Sequence, residues 1–346
     1  MHGPYSCRDA SSSVSWGAAT PPFRRRLRSS FPSPTAKKKP MPRQSTLTQQ
    51  QSPQHSTGRV DLLPHKRIYR ITMDMAAGPP LPASPSQPDA LIDHAASITY
   101  WNSVSADTTG MLGGYPQTSR IDLQGSSNFL IKLRRTKSSI PARDALPPLN
   151  RAADCGAGVG RITKEFLLKV AKRVDVVEPV KKFTDELVQG LKSGEWAGDG
   201  ADPRGGRGQV GEVVNLGLQD WTPEVGAYDL IWNQWCVGHL TDVQLVDYLE
   251  RCKNGLVEGN ESWIVVKENM STDIHQQDIY DDEDSSVTRS DDKFRKLFKE
   301  AGLKLVATDL QRGFPKELFP VRIYALQPQQ IGRKALDRPL YPGIHS

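Results

Sequence analysis

The stretch DCGAGVGRITKEF (154–166) leaves a strand pattern, places glycine at every second position three times, and turns at once into a helical pattern. Glycine loses more backbone freedom on folding than any other residue. So dense a run at a strand–helix junction signals either a tight turn or main chain that something must lie against. The pattern on either side narrows the folds open to such a chain. RAADCG (151–156) reads as the end of a strand, with RVDVVEPV (173–180), GEVVNLGLQDW (211–221), AYDLIWNQWCVGHL (227–240) and ESWIVVKENM (261–270) as further strands. Helical stretches RITKEFLLKVAK (161–172), FTDELVQGLKSG (183–194) and DDKFRKLFKEAG (291–302) are interleaved, the last ending on Gly302 as a C-cap. LKLVATDL (303–310) and VRIYALQ (321–327) close the chain's ordered part as a strand pair. Strands alternating with helices predict an α/β fold, a parallel sheet covered on both faces. Ahead of it, ALIDHAASITYWNSV (90–104) and SSNFLIKLRR (126–135) read as two helices around the turn MLGGY (111–115).

Open sheets of this kind bind ligands beyond the carboxyl ends of their strands, where Gly156, Gly158 and Gly160 fall. Glu178 closes the next strand about 22 residues on, the position from which an acid meets ribose hydroxyls. A dinucleotide needs G-x-G-x-x-G, with its pyrophosphate over the helix start. The spacing here is G-x-G-x-G, and the carboxylate of Asp154 would oppose a pyrophosphate. S-adenosylmethionine carries an ammonium, a sulfonium and a ribose, which suit that acid, and Arg161 suits the cofactor's own carboxylate. The motif is therefore read as a site for S-adenosylmethionine in preference to NAD.

Charge separates the chain into parts. Residues 1–88 carry 13 Lys and Arg against 3 acids, and 89–326 carry 29 against 35, within a chain of 346 residues and net charge +6. A basic Ser/Pro-rich extension (1–88) is expected to be disordered, as is the tail 328–346, with the folded domain spanning 89–327. The extension reads as a targeting signal or as a plain appendage. GEWAGDGADPRGGRGQ (194–209) reads as a flexible Gly-rich insertion. An acidic body argues for a cationic partner and against nucleic acid. No apolar run reaches the roughly 18 residues of a membrane span. The scattered Cys7, Cys155, Cys236 and Cys252 argue for reduced thiols and no metal site. A monomer in the cytoplasm, the nucleus or both is expected.

TYW (99–101), MLGGY (111–115), DCGAGVGRITK (154–164), GLQDWTP (217–223), IWNQWCVGHLTD (231–242), VKENM (266–270) and DEDSSVTRSD (282–291) together resemble the signature segments of the alpha-N-terminal protein methyltransferases. The resemblance runs in order over residues 89–327. It implies a class I methyltransferase (Rossmann-like) fold, with a seven-strand, mostly parallel sheet, added N-terminal helices and a substrate-side hairpin. It also implies methylation of protein N-termini that begin Xaa-Pro-Lys after Met removal. By the same resemblance Gly156, Gly158 and Arg161 hold the methionine part of the cofactor and Glu178 the ribose. Leu218 and Gln219 hold the adenine, Gln234 lines the pocket and Trp101 closes over it. Trp235 and Leu112 frame a slot for the substrate proline, Asn269 holds the α-amine, and Asp281, Asp284 and Ser286 receive the amine and the lysine. His239 and Asp284 are the candidate bases. Two positions depart from the family pattern: Glu178 stands where Asp is usual, and Phe319 where a tyrosine is expected, which puts one hydrogen bond to the peptide in doubt.

The residues taken alone support the chemistry. A free α-amine has a pKa near 7.7 to 8.0, so an enzyme has mainly to deprotonate it and align its lone pair with the sulfonium methyl. The residues also leave open a small-molecule or side-chain methyltransferase on the same fold, or a non-catalytic module that binds basic peptide termini.

Overall fold

The computed structural model describes residues 87–136, 138–194, 208–259 and 261–329. The expectations for residues 1–86, for most of the Gly-rich insertion and for the tail from 330 lie outside them.

One sheet is built from seven strands: β1 (Leu149–Cys155), β2 (Ala171–Val177), β3 (Gln209–Val214), β4 (Leu230–Gln234), β5 (Trp263–Asn269), β8 (Leu303–Leu310) and β9 (Val321–Pro328). Their order across the sheet is β3-β2-β1-β4-β5-β9-β8. The first five are parallel, and β9 runs antiparallel to both β5 and β8. Leu230, Ile231, Trp232, Ile264, Val265 and Val266 have no exposed surface, as expected of central strands covered on both faces. One face packs on Leu245, Tyr248 and Leu249 of α6 (Asp242–Gly255) and Phe294, Leu297 and Phe298 of α7 (Asp291–Glu300). The other packs on Phe129, Leu130 and Leu133 of α3 (Ser119–Arg135) and on Phe166, Leu167 and Leu168. The chain winds outward from β1 through β2 to β3, then restarts on the other side of β1 with β4. This places a topological switch point at the carboxyl ends of β1 and β4.

Two strands are shorter than the pattern suggests, β3 ending at Val214 and not Trp221 and β4 at Gln234 and not Leu240, and three further elements differ from the sequence expectations. The segment 161–172 is not one helix. α4 covers Arg161–Glu165, a 3-10 turn covers Leu167–Lys169, and Ala171 already pairs with Leu149 in β2. Its apolar residues are buried in a near-continuous run, which serves a turn wedged under the sheet better than a one-sided helix. α3 starts seven residues before the apolar pattern, because its buried face there consists of Asp122 and Ser126. No helix is anticipated from the pattern between β4 and β5, yet α6 begins on a full capping box of Thr241 and Gln244.

The N-terminal segment crosses the switch point. A 3-10 turn (Pro88–Leu91) leads to α1 (His94–Ser103), capped by Asp93, and to α2 (Thr108–Met111), capped by Asp107. Asp89 Oδ2 accepts the Asp242 N–H at 2.9 Å, so this segment also caps α6. The Asp93 N–H donates to Ser285 Oγ at 2.7 Å, on the loop of the hairpin β6 (Ile279–Asp281) and β7 (Ser286–Thr288). α5 (Lys181–Lys192) completes the wall, with Phe183 edge-on to Trp101 at 6.4 Å.

Candidate active site

Two loops meet where β1 and β4 end. Gly156 has φ +68°, and a Cβ there would stand 2.3 Å from Cβ of Cys236 on the β4 loop. Close approach of the two loops and the left-handed turn both demand glycine at Gly156, which also borders the cavity. Gly158, at φ +56°, does face the cavity, and a Cβ there would meet the flexible Met111 Sδ at 2.4 Å. Asp154 does not line the cavity. It is buried under the loop, accepting from Thr163 Oγ1 at 2.5 Å, and burial pushes its carboxyl up to about 6.

A cavity of about 190 Å³ opens over these loops. Trp101, Gly156, Gly158, Arg161, Glu178, Leu218, Gln219, Gln234, Trp235, His239, Asn269, Asp281, Asp284 and Ser286 all line it, although they are widely scattered in sequence. Leu112 is not among them. It lines a smaller apolar pocket next door with Tyr115, Phe314, Leu318 and Phe319, and Trp235 and Asn269 border both spaces. Sequence reading missed Met111, Phe183 and Glu268 in the cavity wall. The apolar pair looks like core, and Glu268 carries no motif; its position beside Asn269 at a strand end was the available signal.

Glu178 accepts the Gly158 N–H through Oε2 and the Val180 N–H through Oε1, each at 2.8 Å. It thereby joins the glycine turn to the end of β2, and each oxygen keeps a lone pair for a hydroxyl. Burial pushes it up to about 7, against those two N–H bonds. Glu268 is pushed to about 7 for the same reason while accepting the Val237 and Asn269 N–H groups. Arg161 is held by Asp122 at 2.8 Å, and its guanidinium carbon lies 5.7 Å from the Trp235 ring centroid. The adenine-side loop is anchored from below, as Arg251 donates to the carbonyls of Leu218 and Gln219.

Around Trp235 the site is strained and unsatisfied. Trp235 adopts φ 54°, a left-handed conformation that costs a bulky residue roughly 1–2 kcal/mol. Its Nε1, Asn269 Oδ1 and Asp284 Oδ1 are all buried without a partner. Such atoms are rare in folded proteins and cost about 1–3 kcal/mol each when unmet. Asp284 is pushed up to about 7, first by burial and then by Asp281, with Ser286 bonding it in the opposite sense. His239 is drawn down to about 4 by burial. Trp101 Nε1–H donates to His239 Nε2 at 3.2 Å, so the ring proton sits on Nδ1 and points to Ser97 Oγ at 3.0 Å. The two candidate bases are therefore unequal here: Asp284 has a free oxygen, whereas the basic nitrogen of His239 is taken.

Glycine backbone at φ > 0, a buried acid at the end of β2 and a buried arginine at the start of α4 fit a nucleoside with an amino-acid end. Unmet acceptors beside them fit an amine. Fold and site define a class I S-adenosylmethionine-dependent methyltransferase. The sequence pattern of the family described as AdoMet dependent proline di-methyltransferase matches residues 89–327, and the chain belongs to that family. It is 43% identical over 240 residues to alpha N-terminal protein methyltransferase 1 of Schizosaccharomyces pombe, covering 68% of this chain and 96% of that one. It is also 43% identical over 228 residues to N-terminal Xaa-Pro-Lys N-methyltransferase 1 of Xenopus tropicalis, covering 66% and 92%. Among solved structures, a SAM-dependent methyltransferase from Leishmania major superposes with a TM-score of 0.55 at 34% identity, covering 67% of this chain and 82% of that one.

Proposed function

We propose that this enzyme methylates the α-amine of proteins beginning Xaa-Pro-Lys. The observation that carries the reading is the pair of buried, unpartnered acceptors Asn269 Oδ1 and Asp284 Oδ1, which share one cavity wall with the glycine turn. Two acceptors and no positive side chain among them form a seat for a group rich in N–H. When bound, S-adenosylmethionine supplies an electrophilic methyl on sulfonium. Arg161 faces its carboxylate, Gly158 its amino-acid end, Glu178 its ribose, and Leu218 and Gln219 its adenine, with Trp101 and Gln234 closing the walls.

Asn269 Oδ1 orients the amine by accepting one N–H. Asp284 Oδ1 takes the proton that must leave before the nitrogen lone pair attacks, a role suited to a carboxyl poised near 7. Trp235, at the border of the two spaces, and Leu112, in the smaller one, give the proline ring an apolar wall that asks for no N–H. Asp281, half-buried on the hairpin with Ser286, meets the lysine. Phe319 lines the small pocket without a hydroxyl, so any peptide contact there is apolar. On the same reading the enzyme acts as a monomer in the cytoplasm, the nucleus or both, on neither nucleic acid nor membrane. The acidity of residues 89–326 supports that choice of partner.

The test is methyl transfer to Ser-Pro-Lys and Ser-Pro-Glu peptides of otherwise equal sequence. The Lys peptide should be strongly preferred through KM; equal rates would remove Asp281 and Asp284 from substrate recognition.

A further inference from the structure

Beneath the glycine turn lies a charge cluster of which the proposed chemistry uses only Arg161 and Gln234, leaving Asp122 and Lys267 without a role. Asp122, on the first turn of α3, has no exposed surface. Its Oδ2 receives Arg161 Nη2 at 2.8 Å, its Oδ1 receives Lys267 Nζ, and Gln234 Nε2 donates to both oxygens at 2.9 and 3.0 Å. Lys267 is fully buried as well, and it also donates to the Asp122 carbonyl, Ser126 Oγ and Gln311 Oε1 at 3.0–3.1 Å. The helix makes room for that last bond at Gly125, where a Cβ would come within 2.2 Å of Gln311 Oε1. One carboxylate thus gathers α3, the start of α4 and the ends of β4 and β5, where Gln234 and Lys267 face each other in register. Two cations on one carboxylate leave the cluster at +1 where Arg161 reaches the cavity, and every other donor in it is already spent.

We propose that Asp122 is a positioning residue, which aims the Arg161 guanidinium at the carboxylate end of the cofactor. A buried arginine with one fork edge on Asp122 is restricted in rotation about its last torsions and presents its remaining N–H groups on one side. Ser119, one turn earlier in α3, takes Nη1 at 3.3 Å and limits the guanidinium from the other edge. Replacing Asp122 removes that restraint and frees the guanidinium to turn away from the cavity.

The inference rests on the reading of Arg161 as the cofactor's carboxylate partner, and the test separates the two. Calorimetric titration uses S-adenosylhomocysteine, which carries the carboxylate, and 5′-methylthioadenosine, which lacks the amino-acid end. Arg161→Ala should weaken the first and spare the second. Asp122→Asn should do the same, with a loss of about tenfold or more for S-adenosylhomocysteine and less than twofold for 5′-methylthioadenosine. Because Asp122→Asn strands the buried Lys267, the double variant Asp122→Asn/Lys267→Met is measured beside it. That pair keeps the cluster at +1, so any loss reports alignment of Arg161 and not the field. Circular dichroism melts show that each titrated variant is folded. If Arg161→Ala weakens S-adenosylhomocysteine while the double variant binds within twofold of wild type, the positioning role is overturned. It is overturned equally if the double variant weakens both nucleosides alike. If Arg161→Ala itself changes nothing, the assignment of Arg161 falls first and the proposal with it.

Discussion

Asp284→Asn should give a protein that is more stable and far less active. The carboxyl is 5% exposed, one oxygen has no partner, and its pKa is raised from 3.8 to about 7. Each pKa unit is worth about 1.36 kcal/mol, so ionised Asp284 costs the empty fold on the order of 4 kcal/mol. The sign follows from proton binding. The folded state holds this proton more tightly than the unfolded chain, so the stabilisation is complete below pH 3.8, is lost as pH rises to about 7, and changes no further above it. The neutral amide escapes the loss. Its melting temperature should exceed that of the wild type by roughly ten degrees at pH 8, with the gap narrowing steadily toward pH 4. Turnover on a Ser-Pro-Lys peptide should fall on the order of 100-fold or more, since a positioned base supplies about that much. Thermal melts at pH 5 and 8, paired with kcat on that peptide, make the check. A variant less stable than wild type at both pH values, or one with wild-type kcat, would refute the assignment of a strained base.

Trp101→Phe frees His239 Nε2 and thins the cover whose burial draws the imidazole down to about 4, so its pKa should rise toward the ordinary 6.5, which NMR titration of the ring protons reads directly. The glycines should divide by cause. Gly156→Val drives a branched side chain into Cys236 and should give little folded protein, whereas Gly158→Val should remain folded, displace Met111 and lose S-adenosylhomocysteine binding in calorimetry. Removal of residues 1–86 should leave kcat and KM on short peptides within about twofold, because that segment lacks a core-forming pattern. Removal through residue 96 also deletes the Asp89 cap on α6 and the Asp93–Ser285 bond, and should lower the melting temperature and raise peptide KM.

The strands and the α/β class were legible because β4 and β5 announce themselves as apolar runs, and the glycine turn between β1 and α4 marks where the sheet opens; the order of the strands across the sheet was not read. α6 was legible in principle through Thr241 and Gln244, but its apolar positions are spaced among charges and passed unread. The start of α3 was not legible, since a helix that buries Asp122 and Ser126 has no apolar stripe to show. The cavity residues were named from short motifs, and the structure brings them together on loops after different strands. What no motif conveys is which partner each atom already has. Asp154 looked like a ligand and is bound to Thr163, while His239 and Asp284 looked equivalent until Trp101 was seen to occupy one of them.

The most direct test of the account is to locate the methyl group. The purified enzyme is incubated with S-adenosylmethionine and a Ser-Pro-Lys peptide, beside an α-N-acetylated copy, and the products are fragmented in a mass spectrometer. The account predicts added mass confined to the N-terminal fragment ion of the free peptide and none on the acetylated copy. Methylation of the acetylated peptide, or mass on the lysine side chain, would contradict it.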